Sequence, residues 1–373
     1  MELLTLEKSS CSRLAESPVT FLGPEIEHRD SLAEMLEGRT GGLSWLPDSL
    51  SFLKRDVKSS RSRLVRLVDQ IRGTSDSSYL TYVTKALNES ASRVILAYWG
   101  TIPLPDLLAI KKARSGQKLV LMVLCYPLAL TRVGISRQNF FMRRAARYLD
   151  GFLFPSEEMR SYFLDNVLDR HAPPTVVIPP CWPATFQATT RSLPAENAPN
   201  LIYAGRTDLA GKTVHPADDI RDLMRSILQS GIELHHVYSP ETDDGHPRRT
   251  LFQPLSLSGL IELMSSFDAS LIAYNTVACA RDDRFRLTVP DRLVTSVAAG
   301  VPIAVPRQGY HAVKSYLRDY PPVIEFDSAG GLAETLDDRQ LVSRLRDSAW
   351  VTRQNYVARR HGATLQEFLE QLL

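Results

Sequence analysis

The chain has 373 residues, 44% apolar and 23% charged, with 44 Lys and Arg against 42 Asp and Glu. That length supports two domains with separate cores, and a formal net charge of +2 excludes a strongly basic, polyanion-coating protein, so no nucleic-acid partner is expected. Cys11, Cys125, Cys181 and Cys279 share no short spacing, which excludes a zinc motif or disulfide framework and predicts reduced, mostly buried thiols.

The start, "MELLTLEKSS", lacks the basic and apolar regions of a signal peptide. Before residue 93, "ELLTL" and "PVTFLG" read as strands, and 31–37, 61–72 and 78–88 as helices. Residues 54–72 carry Lys54, Arg55, Lys58, Arg61, Arg63, Arg66 and Arg72 against Asp56 and Asp69, with Leu64, Leu67, Val68 and Ile71 on one helical face. Two readings stand side by side: a helix packed on its domain with a solvated basic face, or contact with an anionic membrane surface.

From residue 93 apolar runs alternate with amphipathic stretches, the signature of α/β folding on parallel sheets. Strands are predicted at "RVILAYWG" (93–100), "KLVLMVLC" (118–125), "GFLFPS" (151–156) and "PTVVIPP" (174–180), and helices at 104–116, 139–150 and 157–167. The longest apolar run, 119–130, is too short to span a bilayer and contains Pro127, so a buried strand is the better reading. A cytoplasmic protein is expected, at most peripheral at the inner face of the membrane.

Residues 187–200, "QATTRSLPAENAPN", are polar, contain Pro and lack periodicity, as a linker does. The alternation then restarts, with strands at 201–206, 232–239, at "LFQPLSL" (251–257, an edge strand) and at "ASLIAYN" (269–275), and helices at 216–231 and 258–267. "VPDRLVTSVAAGVPIAVP" (289–306) gives a helix and strand, "PPVIEFD" the last strand, and helices follow. The expected organisation is an N-terminal Rossmann-like domain over 1–186, the linker at 187–200, and a second Rossmann-like domain over 201–350. Helices at 351–373 are expected to pack back toward the first domain. Ligands of such doubly wound sheets sit outside the carboxyl ends of the strands.

Two stretches carry chemistry. Pro290 stands where a helix begins, with Asp291 and Arg292 behind it. A helix N-terminus offers free N–H groups and partial positive charge to a phosphate. Gly300 either ends that helix or lets it pack closely. In "YAGRTDLAGKTV" (203–214), Gly205 and Arg206 close a strand, and Lys212 follows in the next loop. A planar guanidinium and a point-like ammonium together suit a diphosphate, and neutralising a leaving phosphate is the electrostatic work of sugar transfer. The plainer alternatives are an unliganded αβ unit and two solvated basic residues.

From about residue 93 onward the chain resembles a GT-B glycosyltransferase of the retaining family four. "YAGR" with Lys212, "IELHHVYS", "FQPLSLSGLIELMSSFDASLIAY" and "VPDRLVTSVAAGVPIAVP" occur in that family's order. The resemblance implies two Rossmann-like domains facing across a cleft, and transfer of a sugar from a nucleotide-diphosphate donor to a glycan or lipid-linked acceptor. It implies no metal or other cofactor, the nucleotide sugar being a co-substrate. Arg206 and Lys212 would hold the diphosphate with Arg292 in place of a family Lys. Phe252, Gln253 and Leu255 would lie against the base, and Tyr238 and Ser239 near the nucleotide. Acceptor-side positions fall on Tyr98, Trp99 and Gly100.

The chain departs from the family in two places. Leu287 and Thr295 stand where two Glu are common, the second of them gripping the ribose. Asp282, Asp283, Arg284 and Arg286, in a loop just upstream, are candidate replacements. "LAYWG" lacks the histidines frequent at the acceptor-side strand end. Without a positioned base, a retaining mechanism in which the leaving phosphate takes the acceptor proton fits better than an inverting one. A catalytically silent glycan-binding or partner subunit is the alternative. His236, His246 and His311 show no metal-ligand spacing; His246 reads as a solvated loop residue and His311 as a cleft candidate.

Overall fold

The computed structural model describes residues 19–37, 43–49, 51–52, 77–90, 92–98, 100, 103–129, 131–168, 172–191, 198–205, 218–237, 246–275 and 283–373. The chain divides into two units, Met1–Pro179 with Ala358–Leu373, and Pro180–Val357. The strand expected at "ELLTL", the basic segment 54–72, and Cys11 and Cys279 lie outside the described residues. Cys125 is half-buried and Cys181 buried, both as free thiols.

In the first unit β1 (Val19–Leu22), β2 (Leu43–Leu46), β3 (Val94–Ala97), β4 (Lys118–Met122), β5 (Gly151–Phe154) and β6 (Thr175–Val177) form one sheet in the order β2-β1-β3-β4-β5-β6. Every pairing is parallel. All four residues of β3 are buried, as a continuous apolar strand requires when both faces of a sheet are covered. The helices are α1 (Glu27–Leu36), α2 (Ser77–Glu89), α3 (Leu104–Ala113), α4 (Arg132–Ala146) and α5 (Glu157–Asn166). A last helix, Gly362–Leu372, belongs to this unit and buries Leu365, Phe368 and Leu369. A Cβ at Gly151 would stand 2.7 Å from the Phe368 ring.

α4 begins seven residues before the expected 139. Thr131 accepts a hydrogen bond from Gly134 N at 3.1 Å and so caps the helix there, and Ile135 faces the core. The first two turns are otherwise exposed, which left no apolar periodicity to read.

The second unit holds β7 (Asn200–Ala204), β8 (Glu233–Val237), β9 (Arg249–Phe252), β10 (Ala269–Leu271), β11 (Ile303–Pro306) and β12 (Val323–Phe326), in the order β12-β11-β10-β7-β8-β9. All these pairs are parallel. Its helices are α6 (Arg221–Gln229), α7 (Leu257–Met264), α8 (Asp283–Leu287), α9 (Asp291–Ala299), α10 (His311–Tyr316), α11 (Ala329–Asp337) and α12 (Arg339–Thr352). Alternation along β7 builds two cores: Leu201 and Tyr203 enter one with Met224 and Leu332, and Ile202 and Ala204 enter the other with Leu293 and Val297.

Three boundaries differ from expectation. α6 starts at Arg221 rather than 216, because Asp219 takes the Arg221 backbone N–H (3.4 Å) and guanidinium (2.6 Å) into a local turn. Residues 180–191 lie in the second unit, upstream of and overlapping the 187–200 segment. There Glu262 accepts Thr189 N at 2.6 Å and Thr189 Oγ1 at 2.7 Å; 192–197 lie outside the described residues. The charged stretch 281–286 is no plain loop, since 283–287 form α8, pinned by buried Phe285 and Leu287.

Candidate functional site

In the second unit β10 and β7 are neighbours and the strand order reverses between them. At such a switch point the two carboxyl ends splay the following loops apart and leave room for a ligand. β7 runs directly into Gly205, whose N–H donates to Val237 O at 3.1 Å and whose carbonyl lies 2.8 Å from His236 Nε2. His236 is fully buried, so it anchors the strand end. A Cβ at Gly205 would come within 2.4 Å of the Tyr203 ring. The glycine is required because Tyr203 folds over it.

Arg292, on the first turn of α9, reaches back to this strand end. Its Nη1 donates to Tyr203 Oη at 2.8 Å, and its Nη2 lies 3.6 Å from Asp218 Oδ1. The guanidinium carbon sits 5.1 Å from the Tyr203 ring centroid and 4.6 Å from that of Tyr274, within cation–π range. Burial works against the Arg292 charge, but Tyr203, Tyr274 and Asp218 outweigh it, and the pKa rises above the ordinary value. Tyr274 is itself fixed. Tyr310 Oη accepts from Tyr274 N at 2.7 Å and donates to its carbonyl at 3.2 Å, while Phe285 lies 4.7 Å away, ring to ring. Tyr310 takes a left-handed φ of 59°, and burial pushes its phenol up to about 12.

α9 starts from Pro290, which is the N-cap in extended conformation rather than the first helical residue, and no side chain caps it. Leu293 N donates to the Pro290 carbonyl at 2.9 Å, so the first turn of α9 opens beside the Arg292 guanidinium with the partial positive charge of a helix start. Asp291 is exposed. Gly300 ends the helix with φ 65°, and a Cβ there would stand 2.8 Å from Arg353 Cδ and 3.2 Å from Trp350. Its close neighbour is thus the α12 end, not the sheet.

Thr295, at the place of the second family Glu and expected among the donor-binding residues with a weaker or different hold on the ribose, has its hydroxyl engaged within the protein. It is buried, accepts from Trp182 Nε1 at 3.1 Å and donates to Asp291 O at 2.9 Å. A β-branched hydroxyl in mid-helix returns its proton to the preceding turn, and here its oxygen also meets the Trp182 indole. Leu287 is buried as well. Phe252 ends β9, the edge strand two places from β7, and Gln253 and Leu255 follow it; Phe252 is half-buried, Gln253 and Leu255 exposed. Arg286 projects from α8 into solvent. Arg206, Lys212, Tyr238, Ser239, Trp99 and Asp282, and the side chains of Asp283 and Arg284, lie outside the described residues. His246 is half-buried and its Nδ1 accepts from Arg248 N at 3.2 Å. His311 is exposed at the start of α10.

The first unit has its own switch point between β1 and β3. Half-buried Tyr98 follows β3, with Phe21 at 5.9 Å and His28 at 5.5 Å between ring centroids. Gly100 has φ 68°. His28 is buried in the first turn of α1 and escaped sequence reasoning. The signal was there: His28 shares an apolar stripe with Leu32, Met35 and Leu36. Among the described residues no cluster of His, Cys, Asp and Glu is arranged to hold a metal, and no helix is long and apolar enough to cross a membrane.

No protein-family model and no curated protein matches the chain. Solved structures do. Sucrose-phosphate synthase from Thermosynechococcus elongatus is similar at 11% identity and TM-score 0.63, covering 95% of this chain and 99% of that one. Anabaena HepE in complex with UDP-glucose gives 11% and 0.61 over the same shares. A UDP-forming α,α-trehalose-phosphate synthase from Burkholderia xenovorans gives 10% and 0.61, again over 95% and 99%. The likeness embraces both sheets, and the fold of this chain is the GT-B fold of two Rossmann-like units.

Proposed function

We propose that the protein transfers a sugar from a nucleotide-diphosphate donor to a glycan or lipid-linked acceptor with retention of configuration. The observation that carries this reading is the convergence, at the β7–β10 switch point, of the Gly205 strand end, the start of α9 and the half-buried Arg292 cation. A helix start and a held positive charge favour a diphosphate over a neutral ligand. HepE, one of the structural neighbours, was solved with UDP-glucose, which supports a donor of that class.

In the proposed reaction the bond from the anomeric carbon to the diphosphate oxygen breaks. A bond to the acceptor oxygen forms on the same face, and the acceptor proton passes to the departing phosphate. Arg206 and Lys212, next along the chain from Gly205, carry the charge that develops on that phosphate. Arg292 is already bonded to Tyr203 and paired with Asp218, so its part is a fixed positive field behind the phosphates. Tyr98, Trp99 and Gly100 serve the acceptor. With no carboxylate at Thr295, ribose recognition falls to the charged residues Asp282, Asp283, Arg284 and Arg286, while Phe252, Gln253 and Leu255 lie against the base.

The test is a thermal-shift panel of UDP, GDP, ADP and dTDP. One nucleotide at a hundredfold excess over its Kd raises stability by about 2.7 kcal/mol. Arg206→Ala with Lys212→Ala removes that shift and lowers sugar transfer more than tenfold. If no nucleotide shifts the melting temperature, or transfer by the double variant stays within tenfold of the parent, the donor assignment fails.

A further inference from the structure

The outward face of α4 is the reverse of what a surface helix shows. Val133, Arg137, Phe140, Arg144 and Tyr148 recur at intervals of three and four along it and just past its end, with Phe141 beside Phe140, and so lie in one stripe. Val133 is 80% exposed, Phe140 58% and Tyr148 50%. The opposite stripe, Ile135, Met142, Ala145 and Ala146, already holds the helix on the sheet, so the exposed aromatics are not needed for the core.

Charge follows the same face. Between Arg132 and Leu149 there are five arginines and no acidic residue, in a chain whose formal net charge is only +2. Arg143 is turned to the carbonyls of Val167 and Asn166, both at 3.0 Å. Arg132, Arg137 and Arg144 join no ion pair among the described residues, and Arg137 stands 5.7 Å over the Phe141 ring. Alongside, α3 and α4 enclose a cavity of about 340 Å³. Its walls include Leu104, Leu108 and Phe141, with Arg137 and Arg144 among the lining side chains.

We propose that this face of α4 docks the protein on an anionic phospholipid bilayer. Phe140, Val133 and Tyr148 enter the interface between headgroups and chains, where aromatic and aliphatic groups of a basic amphipathic helix settle. The arginines meet lipid phosphates. The groove between α3 and α4, apolar with guanidiniums in its lining, fits a lipid whose chain lies along the leucines and whose phosphate meets Arg137 and Arg144. Nucleic acid would use the arginines equally but would leave Val133 and the leucine-lined groove without a role. The inference is independent of the transfer reading, because lipid binding is measured without any sugar.

The full chain should cosediment with phosphatidylcholine vesicles containing about one third phosphatidylglycerol, and not with pure phosphatidylcholine, the binding weakening with added salt. Phe140→Ser, and Arg137→Glu with Arg144→Glu, should each lower the partition coefficient at least tenfold with the melting temperature unchanged, since the altered groups are exposed. Arg225→Glu, an exposed cation on the second unit, should bind as the parent does. An environment-sensitive dye on Phe140→Cys should shift to the blue on mixed vesicles. The proposal is overturned if the parent ignores anionic vesicles, if the α4 variants bind as the parent does, if the dye stays in a wet environment, or if a single-stranded RNA binds more tightly than vesicles and is displaced by them.

Discussion

At Thr295 one hydroxyl satisfies two buried groups, the Trp182 indole N–H and the Asp291 carbonyl. Valine there keeps the shape and removes both bonds. A buried donor left without an acceptor costs about 1–3 kcal/mol, so Thr295→Val should lower the melting temperature by several degrees, as read by calorimetry. Nucleotide affinity should stay within twofold, because the hydroxyl faces Trp182. A tenfold loss of affinity would return Thr295 to the ribose. Gly205 teaches a related lesson. Its place at a strand end was legible in "YAGR", but the reason for it was not: the Tyr203 ring two residues back fills the space a side chain needs. Backbone freedom is readable from a glycine, whereas the neighbour that demands it belongs to the packed state.

Strands were the most legible elements. β3 and β5 are continuous apolar runs, as are β4 after Lys118 and β7 after Asn200, and a strand covered on both faces admits little else. Helix starts were less so, because a cap such as Thr131 or a turn such as Asp219–Arg221 is one polar residue among many. The site was legible only where one segment carried it. Pro290 to Arg292 stood out, but Tyr203, Asp218, Tyr274 and Tyr310 come from separate stretches, and only the adjacency of β10 to β7 gathers them around Arg292.

β8 adds a consequence of pH. Burial holds the His235 imidazole below its ordinary 6.5, against a smaller pull upward from Glu233. The folded state thus binds the proton less well than the unfolded one. Stability from this group is complete above pH 6.5 and is lost as pH falls from there toward the folded-state pKa. Melting temperature should decline between about pH 7 and 5, and His235→Gln should make that decline shallower. An unchanged slope would remove His235 as a source.

On the scale of the whole molecule, the first unit is discontinuous and the second, Pro180–Val357, is one unbroken stretch. Leu365, Phe368, Leu369 and Leu372 are buried in the first unit by its last helix. At roughly 1.5–3 kcal/mol for each buried side chain, their sum rivals the 5–15 kcal/mol by which a domain is ordinarily stable. A chain stopped after Val357 should lose cooperative melting of the first unit while the second still melts as one transition, with proteolysis cutting the former first. Survival of both transitions would show the helix to be dispensable.

Gly151 and Gly362 mark how closely that helix is seated: a methyl on either would strike Phe368 or the Met35 carbonyl at 2.7 and 2.6 Å. Domains usually finish in the order in which they leave the ribosome. Here the order is inverted. The half translated first waits, with an apolar flank uncovered, until residues 358–372 have been made, so the nascent chain offers chaperones a binding surface throughout the translation of the second unit.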